Sequence, residues 1–308
     1  MADTVNGYVI RRMERPELDF ALGLAAAEGW NPGLADVEPF WQADPQGYFL
    51  GLLDGRPVAT ISAVGYGDSG GGPSFGFVGL YIVTPELRGR GYGLRLWEAA
   101  LGALTAPVIG LDGVLAQQDN YRRSGFALAM RNCRYEGRGG GAAGEAAPAG
   151  LRPLADFPLD AVLAYDRRCF PAPREAFLRA WLGAPGHTAL GLMRGGRLAG
   201  YGVIRPCGLG SKIGPLFADD DEAAHALFHG LCLAAPSSIT TGATGTTNAT
   251  GATGGPVFLD VPLAHAGAVR LAEAHAMRPV FETARMYRGP APEIDLGRVF
   301  GVTTFELG

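Results

Sequence analysis

The sequence predicts a mixed α/β protein, α+β in arrangement, made of two tandem domains, each a mixed, mostly antiparallel sheet flanked by helices. Three observations predict it. In each half, strand-like runs joined by short glycine turns come first, and a strand, a helix and another strand follow; this calls for antiparallel hairpins and then a parallel crossover. Pieces of the first half recur in the same order in the second. Between the copies lies a Gly/Ala-rich tract with no apolar face to bury.

Taken in order, the first half opens with a strand over residues 8–12 and a helix over residues 16–27, where Pro16 suits a first turn whose N–H has no intrahelical partner. A Trp-Asn-Pro-Gly turn begins at Trp30, and a short helical piece lies near Phe40. Strands over residues 48–53 and 58–66 flank an Asp-Gly turn, and a third covers residues 75–83. Then come a helix over residues 93–104, a strand over 108–112, a helix around 117–124 and a last strand over 127–135.

The repetition is local and ordered. "LGLLDGRPVAT" at Leu50 aligns without gaps to "LGLMRGGRLAG" at Leu190, and "VGLYIV" at Val78 resembles "IGPLFA" at Ile213. "GLDGV" at Gly110 matches "FLDVP" at Phe258, and "GFALAMRNCRYEG" at Gly125 rhymes with "AMRPVFETARMYRG" at Ala276. The boundaries that follow are a first domain at residues 1–136, a linker at 137–150 and a second domain at 151–308. The second domain carries a low-complexity loop at residues 237–255, written only with Thr, Gly, Ala and Asn from Thr240 onward.

Composition narrows the function. The chain of 308 residues is long enough for two cores, and 47% of it is hydrophobic. A net charge of −4 and a single lysine, Lys212, argue against a nucleic-acid partner. The start "MADTVNGYVI" has no basic or apolar leader segment, and no apolar run is long enough to span a bilayer, so a cytoplasmic chain with no membrane partner is expected. Cys133, Cys169, Cys207 and Cys232 form no C-x-x-C pair, and His225 and His229 lack an H-E-x-x-H frame; no metal is expected.

The stretch "VGLYIVTPELRGRGYGLRLWEAAL" at Val78 carries the chemistry. A strand that runs through glycines straight into a helix offers free N–H groups and the positive end of a helix dipole, and both favour an anion such as a phosphate. Gly89, Gly91 and Gly93 let a ligand approach the backbone, and Arg88 and Arg90 add positive charge.

This loop resembles motif A of the GCN5-related N-acetyltransferases (GNAT), R-x-x-G-x-G, as Arg88, Gly91 and Gly93. Further on, "YRRSGF" resembles the family's Y-x-x-x-G-F through Tyr121, Gly125 and Phe126, while Val114 stands where the family often has asparagine. The whole chain looks like bacterial tandem proteins whose second domain is a degenerate one of the YitH type. The resemblance implies acetyl-coenzyme A as cosubstrate, held by Tyr81, Ile82, Val83, Arg88, Gly89, Arg90, Gly91, Tyr92, Gly93 and Leu94, with Tyr121 as general acid toward the departing thiolate.

Transfer to an amine also needs a neutral nucleophile and donors for the developing oxyanion. Backbone N–H groups near Ile82 and Val83 suit the oxyanion, and Asp112 and Glu28 are the candidate bases. Trp30, Asn31, Trp41 and Tyr66 are candidates for the acceptor pocket. In the second half, Asp219, Asp220, Asp221 and Glu222 replace the arginine and glycine loop, and Ala272 replaces Tyr121. Carboxylates there repel a pyrophosphate, so that copy is expected to be noncatalytic and to pack on the first domain, shape its cleft or support a homodimer. The expected activity is acetyl transfer to a primary amine on a small molecule; the alternative is a noncatalytic acyl-coenzyme A sensor or scaffold.

Overall fold

The structure, a computed structural model, describes residues 7–67, 74–140, 146–235 and 254–308. Most of the low-complexity loop, and residues 141–145 of the linker, lie outside the described residues.

In the first half, β1 (Tyr8–Arg12), β2 (Tyr48–Leu53), β3 (Arg56–Tyr66) and β4 (Phe75–Val83) pair antiparallel in sequence, with α1 (Leu18–Ala27) and α2 (Val37–Ala43) between β1 and β2. The chain crosses over through α3 (Tyr92–Ala103) to β5 (Ile109–Val114), which lies parallel to β4, and continues through α4 (Gln118–Arg123) to β6 (Ala127–Arg138). The second half repeats the plan: β7 (Leu151–Pro153), α5 (Leu159–Cys169), α6 (Glu175–Leu182), β8 (Thr188–Arg194), β9 (Arg197–Pro206), β10 (Ser211–Ala218), α7 (Asp221–Leu233), β11 (Pro256–Pro262), α8 (Ala266–Ala274) and β12 (Arg278–Arg288). One short strand, β13 (Val299–Gly301), is added at its end.

Local chemistry accounts for the repeated parts. Asp54 and Gly55, at φ 50° and 78°, and Gly195 and Gly196, at 58° and 76°, form two-residue turns with both φ positive, the geometry that matches strand twist in a hairpin. Helix α1 begins at Leu18 rather than at Pro16, because residues Arg15–Glu17 form a 3-10 turn in which the Glu14 N–H donates to the Glu17 carboxylate at 2.8 Å. Strand β6 runs on to Arg138, into the segment read as linker.

The last strand of each half is exchanged. Along the sheet the order is β1-β2-β3-β4-β5-β12-β6-β11-β10-β9-β8-β7, so β12 extends the first half from β5 and β6 extends the second from β11. Either strand satisfies either edge in hydrogen bonding; buried side chains fix the choice. Ala284 and Met286 of β12 pack with Trp97 and Leu101 of α3, while Cys133 and Tyr135 of β6 pack with Leu227 of α7 and Leu271 of α8. Arg285 stands opposite Asp112 and Arg134 opposite Asp260, each as a buried bidentate ion pair.

The parallel pairs are short. Strands β4 and β5 pair only over Gly76–Val78 with Ile109–Leu111, and β10 and β11 only over Ser211–Ile213 with Val257–Leu259. Past those points each pair splays apart. In the second half the opening is filled by the chain itself: β13 pairs antiparallel with Leu216 and Phe217 of β10, and the Val302 N–H donates to the Asp260 carbonyl at 2.9 Å. In the first half it remains a cavity. Residues 302–308 are buried, and the last of them reach the first half, where the Tyr66 hydroxyl donates to the Leu307 carbonyl at 3.1 Å.

Candidate active site

The cavity in the β4–β5 opening has a volume of about 520 Å³. One wall is β4 from Val78 to Val83 with the loop that enters α3; the other is the end of β5 with Tyr121 of α4. Arg134 of β6, Phe281 and Thr283 of β12, and Phe305 and Glu306 of the final segment complete it.

A bulge shapes the first wall. Thr60 and Ser62 of β3 stand opposite Ile82 and Gly79, which leaves an extra residue on β4, and Leu80 takes φ 47° there, an uncommon conformation for a side chain that large. The Thr60 hydroxyl holds it by donating to the Leu80 carbonyl at 2.8 Å. The β4 edge past Val78 thus has no β5 partner and faces the cavity. Gly79 is crowded from the other side, because a Cβ on it would lie 2.0 Å from the Glu306 carbonyl oxygen.

The loop into α3 has the geometry its sequence requires. Gly89 and Gly91 sit at φ 74° and 84°, with open space where a Cβ would be, and Gly91 is the residue from which the twelve-residue helix α3 starts. The first N–H groups of a helix are donors suited to an anion, and Arg88 beside them is paired with Glu28. Gly93 is required for packing, since a Cβ would lie 2.7 Å from the Tyr81 hydroxyl. Tyr81, Ile82, Val83, Arg88, Gly89, Gly91, Tyr92, Gly93 and Leu94 all line the cavity; Arg90 is exposed and does not. Among the expected cofactor-binding residues it alone is off the wall. A glycine cradle for a pyrophosphate, continuous with an unpaired strand edge for an amide-bearing arm, fits coenzyme A.

Tyr121 lies on the opposite wall, 9% exposed, with its ring 5.5 Å from that of Trp97. Burial first, and neighbouring Tyr81 second, push its phenol up to about 12, so it keeps its proton at neutral pH.

Asp112 and Glu28 both reach the cavity wall, each held by an arginine. Asp112 accepts from Arg285 at 2.7 and 2.6 Å and from the Asn132 amide at 2.8 Å. Its burial raises its pKa and Arg285 works against that rise. Glu28 pairs with Arg88, whose Nε also donates to the Val83 carbonyl at 2.9 Å.

Of the four acceptor-pocket candidates, Trp30 lines the cavity and Asn31, Trp41 and Tyr66 do not. The Asn31 amide spans to the Leu209 N–H and carbonyl, both at 2.9 Å, and ties the halves together. Trp41 stacks on Tyr48, and Tyr66 is buried against Phe75 and Phe170. Burial of their large apolar rings in the core accounts for both placements.

The residues from the second half that complete the cavity, Phe281, Thr283, Phe305 and Glu306, were not among the candidates. Glu306 is 3% exposed, and its Oε2 has no hydrogen-bond partner among the described residues. A lone acidic residue between Phe305 and Leu307 is the one signal that the sequence offered.

The acidic run of the second half is engaged locally. Asp220 caps α7 by accepting from the Ala223 N–H at 2.9 Å, and it pairs with Arg194; Asp219 pairs with Arg197 and Arg298, and Asp221 with Arg270. Ala272 is fully buried. His225 and His275 are 3.1 Å apart, and no group of three or more His, Cys, Asp or Glu among the described residues is arranged to hold a metal. Nor is any helix of the described residues long and apolar enough to cross a membrane.

Comparison with known proteins agrees with this geometry. Residues 12–127 match the acetyltransferase (GNAT) family, and residues 162–250 and 246–301 match an acetyltransferase (GNAT) domain. A protein named holothin acyltransferase, from Pseudoalteromonas sp. (strain SANK 73390), is 29% identical over 284 residues, spanning 92% of this chain and 89% of its own. A putative acetyltransferase from Pyrococcus horikoshii shares the fold at a TM-score of 0.78 and 19% identity, over 99% of this chain and 98% of that one. A tandem GNAT protein from the clavulanic acid biosynthesis pathway does so at 0.57 and 16%, over 92% and 99%. With a GNAT match in each half, an acyltransferase relative along nearly its whole length and the fold of tandem members, this chain belongs to the GNAT acyltransferases and carries two such domains in tandem.

Proposed function

We propose that the chain transfers an acetyl group from acetyl-coenzyme A to a primary amine on a small molecule, by direct attack, in the cavity of the first half. One observation carries the reading: the glycine cradle at α3, the bulged open edge of β4 and Tyr121 meet at a single cavity. Acetyl-coenzyme A supplies an activated acyl group. Gly89, Gly91 and the first N–H groups of α3 hold its pyrophosphate, with Arg88 beside them. N–H groups near Ile82 and Val83 receive the negative charge that develops on the carbonyl oxygen, and Tyr121 gives its proton to the leaving sulfur.

The second domain works as structure. Its own splayed opening is filled by β13, and its residues line the acceptor side of the first site. The name of the 29%-identical relative supports a small-molecule acceptor. Four free, buried thiols suit a reducing cytoplasm. Retention of Tyr121 favours an enzyme over a sensor, since binding alone needs no proton donor. Thiol release from acetyl-coenzyme A, followed across a panel of small primary amines, tests the reading: release with one amine class is expected, and no release above background with any amine contradicts it.

A further inference from the structure

We infer that Glu306, delivered by the segment after β13, is the carboxylate that binds the acceptor amine and takes its proton. The inference rests on the acetyl-transfer reading above. The cations around Glu306 come from several elements: Arg134 from β6, Arg205 from β9 and Lys212 from β10. Their hydrogen bonds run to other groups, although Arg205 Nη1 is itself buried without a partner among the described residues. Arg134 donates to both Asp260 oxygens at 2.7 and 2.8 Å and to the Trp30 carbonyl at 2.7 Å. Arg205 donates to Asp36 at 3.0 Å, and Lys212 to the Trp30 carbonyl at 3.1 Å. None of these bonds reaches Glu306, and its Oε2 has no donor among the described residues. A buried carboxylate short of a donor gains by accepting an N–H, and Glu306 lines the cavity that an amine would enter.

The competing carboxylates are occupied: Asp112 by Arg285 and Asn132, Glu28 by Arg88. Glu306 comes from the final segment of the second half and lines the same cavity as Tyr121. In the step assigned to it, an acceptor that arrives as ammonium first releases its extra proton to solvent. The amine nitrogen then forms the C–N bond to the acyl carbon while the C–S bond breaks. One N–H proton passes to Glu306 and the Tyr121 proton to the sulfur, giving amide and thiol. Proton exchange through solvent returns Glu306 to the carboxylate and Tyr121 to the phenol.

Glu306→Gln keeps the volume and a hydrogen-bonding end but cannot take the proton. Parent and variant are compared for kcat with the best amine of the panel and for acetyl-coenzyme A affinity by calorimetry, and Glu306→Ala is assayed with and without added formate. Expected are a fall in kcat of about 10²-fold or more in Glu306→Gln, cofactor affinity within about twofold of the parent, and partial recovery of Glu306→Ala, but not of Tyr121→Phe, in formate. A loss of less than about threefold, a loss matched by weaker cofactor binding, or no recovery in formate overturns the assignment while the acetyl-transfer reading stands. A parent chain that acylates no amine overturns both.

Discussion

Gly79→Ala tests whether the final segment is seated where the structure puts it. The added Cβ would lie 2.0 Å from the Glu306 carbonyl oxygen, 2.9 Å from its carbonyl carbon and 3.1 Å from its Cα, all backbone atoms. Relief to an ordinary contact of about 3.4 Å requires a shift of more than about 1 Å in either β4 or the segment. The backbone at Gly79 is not in the left-handed region, so the cost is steric. Overpacking of this kind costs about 1–3 kcal/mol, and a displacement of about 1 Å at a reacting group costs about 10²-fold in rate. The assay is thermal unfolding together with kcat on the best amine. Gly102→Ala serves as the control, because α3 presents open space there and alanine is the better helix former by about 0.5–1 kcal/mol. A Gly79→Ala chain as stable and as active as the parent would refute the seating of Glu306 against β4.

Three further outcomes follow from the same structure. Tyr121→Phe keeps the buried ring and loses the proton, so kcat should fall by about 10² to 10⁴ with cofactor affinity intact; because the phenol sits at about 12, the parent's rate should show no Tyr121 ionisation limb up to pH of about 10. A pH–rate profile and calorimetry check this. Gly91→Val places a β-branched residue at φ 84° in the cradle and should abolish acetyl-coenzyme A binding by calorimetry while the rest of the sheet persists by circular dichroism. Arg134→Met leaves Asp260 buried without its partner and should cost about 3–5 kcal/mol in denaturant unfolding, whereas Arg179→Met, whose partner Glu175 is half exposed, should cost less than about 1.

Local features of the sequence predicted the local features of the site. The Asp54-Gly55 turn, the glycine loop from Arg88 to Gly93 and the placing of Tyr121 are set by neighbours within a few residues, where turn chemistry and periodicity act. The duplication was also legible, since matched strands sit at matched places. Exchange of β6 and β12 was not, because both carry the same alternating pattern and either edge accepts either strand; buried partners such as Asp112 for Arg285 decide it. Glu306 escaped for a related reason. The segment that carries it meets the first half across long chain separation, as in the contact of Tyr66 with Leu307, 241 residues apart. Asn31, Trp41 and Tyr66 were drawn toward the pocket by residue type, yet a buried aromatic serves a core as well as a ligand site.

One working acyl-coenzyme A site per chain is expected, in the first half, because the matching opening of the second half is filled by β13 and its helix start is held by Asp220. Calorimetric titration of the parent chain with acetyl-coenzyme A tests it most directly. A stoichiometry of one per chain is expected; two equivalent sites, or no binding, would overturn the single-site reading.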